Sequence, residues 1–97
     1  MAKYLILWES DMSRMPADPK ERGELIGKQM EMTRKALDEG QITDWGIFAG
    51  AGAGYAIGEG ETADMFSGAM QFTPYVKFKP MTVLSIDEVT ELMKSVM

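Results

Sequence analysis

Apolar residues along this chain change period several times, and each change marks an element. Lys3-Tyr4-Leu5-Ile6-Leu7-Trp8 is apolar at both alternating sets of positions. A strand apolar on both faces belongs at the centre of a sheet. Ser10 to Ala17 is rich in turn formers. Asp18-Pro19-Lys20-Glu21 then has the chemistry of a helix start: an acceptor at the N-cap, proline in the first turn and an acid where a capping box places one. The helix is predicted to run to about Glu39, with Gly40 as its left-handed stop. Its stripe is Ile26, Met30, Thr33 and Leu37, with Leu25, Met32 and Ala36 on the shoulders.

Ile42 to Phe48 and Ala53 to Gly58 read as two strands joined by the hairpin-length segment Ala49-Gly50-Ala51-Gly52. In the first of these, Trp45 and Ile47 are assigned to one side, and Ile42, Asp44, Gly46 and Phe48 to the other. Gly46, Gly54 and Gly58 should mark bulges, bends or close approaches. A short helix opens at Glu61 and Thr62, with Met65, Phe66, Ala69 and Met70 on its inner side, and Thr73-Pro74-Tyr75 breaks it. Val76 to Leu84 is the last strand, and Pro80 requires it to be at an edge or to bulge. Ser85-Ile86-Asp87-Glu88 is a second capping box, starting a helix with the stripe Val89, Leu92, Met93 and Val96. The order β-α-β-β-α-β, plus a C-terminal helix, is an α+β ferredoxin-like pattern in one domain spanning 1–97.

In that pattern the helices cover one face of the sheet. The other face, apolar in the first two strands, would be a large exposed patch on a monomer. The expectation is a homodimer packed sheet to sheet. The alternative is that the C-terminal helix folds back over the open face.

Composition narrows the chemistry. Ten Met residues are read as adaptable packing. A net charge of −5 argues against nucleic acid and anionic lipid as partners. No apolar run has the roughly 20 residues of a membrane span, and the start lacks a signal-peptide pattern, so a cytoplasmic protein is expected. The chain has no Cys and no His. Disulfides, thiol nucleophiles, His-ligated haem and His-based triads are therefore closed to it, and neither metal nor other cofactor is expected. Acid–base chemistry falls to Asp, Glu, Lys, Tyr or an activated water.

The last third, Tyr55-Ala56-Ile57, Gly58-Glu59-Gly60-Glu61, Met65-Phe66-Ser67, Phe72-Thr73-Pro74-Tyr75-Val76-Lys77-Phe78 and Pro80-Met81-Thr82-Val83-Leu84, resembles muconolactone isomerases and related small proteins of the dimeric α/β-barrel superfamily. The resemblance covers roughly 35 to 45 residues well and the rest by topology. It implies two ferredoxin-like sheets closed into one barrel. It also implies a small organic ligand held between sheet and helices, and a metal-free proton-transfer isomerase or a cofactor-free oxidation. A non-catalytic ligand-sensing or structural interaction module is the alternative.

Two carboxylates beside indoles are candidate catalytic acids or bases: Glu9 after Trp8, and Asp44 before Trp45. Trp8, Trp45, Tyr55 and Tyr75 are candidates to shape a substrate pocket. Arg14, Arg22 and Arg34 are read as surface charge. Gly50-Ala51-Gly52-Ala53-Gly54 precedes a strand, which argues against a phosphate loop. A pocket with a carboxylate aimed inward would mark an enzyme.

Overall fold

A computed structural model of the chain describes residues 2–96. The elements are β1 (Ala2–Ser10), α1 (Pro19–Asp38), β2 (Ile42–Ile47), β3 (Ala53–Gly60), α2 (Thr62–Met70), β4 (Val76–Val83) and α3 (Ile86–Val96). The four strands form one antiparallel sheet in the order β2-β3-β1-β4. This α+β arrangement is compatible with a ferredoxin-like fold. As its two-faced apolar pattern requires, β1 is an inner strand, and β4, which contains Pro80, is at an edge.

The caps form where the residue types place them. The Asp18 carboxylate accepts from the Glu21 N–H at 3.3 Å, and Gly40 is left-handed at φ 76° just beyond the end of α1. At the start of α3 the box closes reciprocally. The Ser85 N–H donates to Glu88 Oε1 at 3.0 Å, and the Glu88 N–H donates to Ser85 Oγ at 3.1 Å. The hairpin between β2 and β3 turns through positive φ at Ala51 and Gly52. No helix among the described residues is long and apolar enough to cross a membrane.

Register assigns the faces. Tyr4, Ile6 and Trp8 pair with Gly58, Ala56 and Gly54 of β3, and all six face the helices. The Tyr4 hydroxyl meets the Thr62 hydroxyl of α2 there. Leu5, Leu7, Tyr55, Ile57 and Met81 alternate onto the opposite, open face. Tyr4 and Ala56 are buried, and Thr33 of α1 is buried with its hydroxyl donating to the Gln29 carbonyl at 2.9 Å.

Three expectations are corrected. The register of β2 against β3 shifts between Ile42 and Asp44. The extra residue turns Ile42 to the helix-covered side with Trp45 and Ile47, so Asp44 and Phe48 do not share its face. On α2, Met65 turns inward, but Phe66 and Met70 are exposed. These two stand at the rim of a second groove, between α2 and the β1–β4 side of the sheet, with Tyr4, Ile6 and Pro80. Finally, α3 does not fold back over the open face and makes at most marginal contact with any other element.

Candidate functional site

A cavity of about 640 Å³ lies between the helix-covered face of the sheet and helices α1 and α2. Its floor is built by the size pattern of β3. Gly54, Ala56 and Gly58 carry little or no side chain, so β3 forms a trough between β1 and β2. Trp8 from β1 and Trp45 from β2 lean into it from either side. Their rings stack nearly parallel, with centroids 5.4 Å apart and planes 8° from coplanar.

Gly54 is what lets the rings meet. A Cβ there would stand 2.5 Å from Trp8 Cζ2 and would collide with the Gly46 carbonyl. The Trp8 indole N–H donates to the Tyr55 carbonyl at 3.3 Å, which fixes the ring's position over β3. Gly58 gives way in the same manner to the Met65 methyl. Gly46, on the open face, makes room for the Tyr55 ring. The strand glycines therefore do mark close approaches, chiefly by side chains.

The walls are mostly apolar: Met30 and Ala36 from α1, Met65 from α2, then Phe72 and Phe78. Phe72 and Phe78 meet edge to face at 5.8 Å. One polar group stands out. Gln29 lines the cavity, and its Nε2 is the buried side-chain nitrogen or oxygen that lacks a hydrogen-bond partner among the described residues. A buried amide N–H without an acceptor costs about 1–3 kcal/mol, so an acceptor supplied from the cavity would relieve it. No Lys or Arg lines this cavity among the described residues, and its two acidic lining residues, Asp64 and Glu59, are exposed, Glu59 in register with Lys3 of the open face.

The six residues picked from sequence separate. Trp8 and Trp45 line the cavity together. Glu9 and Asp44 do not. Both are exposed on the open face, where Glu9 lies opposite Lys77 in the β1–β4 register. Asp44 accepts from the Tyr55 hydroxyl at 2.9 Å and from the Trp45 N–H at 2.9 Å. That hydrogen bond to Asp44, aided by desolvation, raises the Tyr55 phenol above its ordinary 10.0. Tyr55 is thus a neutral donor, and its ring stacks on Phe48 at 6.5 Å. Tyr75 lies in the turn after the cis Thr73-Pro74 peptide, its carbonyl accepting from the Asp11 N–H at 2.8 Å. It does not line the cavity. The inward-aimed carboxylate expected of an enzyme is not among these residues.

Gln29 and Met65 are site residues that sequence reasoning passed over. Gln29 carried a signal: a polar residue in the α1 stripe, three after Ile26 and four before Thr33. Among the described residues, no cluster of three acids is placed to hold a metal ion. Compared with known proteins, the chain matches no family model and no curated protein.

Proposed function

We propose that this protein is a homodimer that binds a small, neutral, largely planar organic molecule in the cavity between sheet and helices. The observation that carries the reading is the stacked Trp8–Trp45 floor facing the unpartnered Gln29 amide. Flat aromatic surface offers dispersion and stacking to a planar ligand. The Gln29 N–H supports a carbonyl or ether oxygen on it. The volume is in the range of small-molecule sites. Among the described residues no cation lines the cavity, which disfavours an anionic ligand, including a carboxylate-bearing lactone of the muconolactone type.

Pairing of the open faces supports the dimer. Leu5, Leu7 and Ile57 supply an apolar centre there, and a second copy would remove it from water. In this reading the fold is a dimeric α/β barrel. Binding without turnover accounts for the exposed positions of Glu9 and Asp44. A proton-transfer isomerase would have to use Asp64, an exposed acid of α2 at the cavity wall.

The test is a panel of neutral aromatic ketones and their carboxylate analogues, titrated against tryptophan fluorescence. The neutral members should quench and the carboxylates should bind at least about tenfold more weakly. Trp45→Ala and Gln29→Leu should each weaken binding, Gln29→Leu only for ligands with an acceptor oxygen. Preference for the carboxylates, or indifference to both substitutions, would refute the site. A sedimentation mass of one chain at micromolar concentration would refute the pairing.

A further inference from the structure

Helix α3 has no bed in its own chain. A two-residue connector, Leu84-Ser85, joins it to β4, and the reciprocal Ser85–Glu88 box fixes its first turn. Its apolar side chains Ile86, Val89, Leu92, Met93 and Val96 fall on one stripe and are all exposed, Ile86 by 78% and Leu92 by 55%. An isolated helix of 11 residues is marginal in water, so α3 needs a surface to lie on.

The whole-chain dimensions set an upper bound on the missing contact. The radius of gyration is 16.0 Å, against about 12.5 Å for a compact chain of this length. The accessible surface is 7095 Å², roughly 1,500 Å² above that of a compact monomer of this mass. A standard interface takes about 800 Å² from each partner, and obligate pairs take more. The excess is what a permanent partner would cover.

Charge selects the partner. The helix carries Asp87, Glu88 and Glu91 against Lys94. The β1–β4 margin of the open face carries Lys3, Lys77 and Lys79 against the single acid Glu9, beside Met81 and Val83, with the exposed Leu84 just beyond. On the other face the groove between α2 and β4 is apolar and has one lysine, Lys77, at its rim, so the lysine-rich margin of the open face is the better match for an acidic helix. An acidic amphipathic arm and a lysine-edged apolar strip are thus complementary, and a second copy presents both, so a two-fold pair satisfies both arms at once.

We infer that α3 is an exchanged arm: each copy lays the α3 stripe along the β4 margin of its partner's sheet. The inference rests on the homodimer proposed above. The pairing of the sheet centres and the crossing of the arms are separate contacts, which allows them to fail separately.

The experiment uses the full chain. Sedimentation gives the mass, and amide hydrogen exchange reports on α3, for the native sequence and for Leu92→Glu. Because α3 touches little of its own chain, Leu92→Glu should leave the tryptophan fluorescence unchanged. A dimer with protected α3 amides, whose dissociation constant rises at least about tenfold in Leu92→Glu with loss of that protection, is the expected result. A dimer in which α3 exchanges freely overturns the arm and leaves the pairing intact. A monomer overturns both. A monomer with protected α3 shows the helix folded on its own sheet. The native chain has no Cys, so Leu92→Cys and Met81→Cys chains, one of them isotope-labelled, can be mixed and oxidised. Mixed disulfides between the two chains are expected, and their absence overturns the β4 bed.

Discussion

Replacing Gly54 with Ala puts the packing of the tryptophan pair to a direct test. The added Cβ would stand 2.5 Å from Trp8 Cζ2 and 2.7 Å from Cε2, and would also strike the Gly46 carbonyl. Ordinary carbon contacts lie near 3.5–4.0 Å, so the ring must move by roughly 1 Å or more. The carbonyl belongs to the paired strand β2 and cannot swing aside as a flexible side chain would. Overpacking of this kind costs about 1–3 kcal/mol. Restricting the unfolded chain by removing a glycine returns about 0.4–1 kcal/mol. The net loss is about 1–2 kcal/mol, which for a domain of this size lowers the melting temperature by roughly 4–8 °C per kcal/mol. Thermal denaturation followed by circular dichroism measures it. The paired indoles, 5.4 Å apart, should also give a coupled far-ultraviolet band that the substitution weakens. An unchanged or higher melting temperature with the band intact would refute the stacking geometry.

Gly27→Ala in α1 should act in the opposite direction. A Cβ there meets nothing within 4 Å, so helix propensity alone should stabilise the fold by about 0.5–1 kcal/mol in the same melting assay. Asp44→Asn should lower the pH at which Tyr55 ionises, followed by phenolate absorbance, because Asp44 holds the phenol above 10.0. A phenol raised in the fold stabilises it below pH 10, and that contribution is lost as pH rises through the folded value. Glu88 behaves with the opposite sign. Its hydrogen bonds with Ser85, the backbone one first, hold its carboxyl below the ordinary 4.5. The stabilisation is present above that value and is lost as pH falls through the lower folded one, so helicity at α3 should drop in acid and Glu88→Gln should blunt the change.

Local chemistry made most of the elements legible. Asp18, Pro19 and Gly40 bound α1 to within a residue or two, and Ser85 with Glu88 place the start of α3, because caps depend on side chains a few positions apart. Pro80 left an edge or a bulge for β4, because a missing N–H cannot serve an inner ladder, and β4 is at an edge. The faces of β2 were less legible. Inserting one residue between Ile42 and Asp44 reverses alternation, and a bulge has no fixed residue signature when its neighbours are Thr and Asp. The candidate site divides for a reason that alternation itself contains. Neighbours on a strand point to opposite faces, so Trp8 with Glu9, and Asp44 with Trp45, cannot both serve one cavity. Apolar character marks both faces of β1, and which of them the helices cover is decided by tertiary packing. The loneliness of the Gln29 amide is likewise invisible until α1 is set against the sheet.

Tyr55 has a second consequence. Its carbonyl holds the Trp8 indole on one side of the sheet, while its phenol holds Asp44 on the other. A molecule wedged against Trp8 would pull on the peptide group of a residue whose ring is anchored across the sheet. The two surfaces share one mechanical joint, a single residue of β3, and strain applied at either surface reaches the other through one backbone unit.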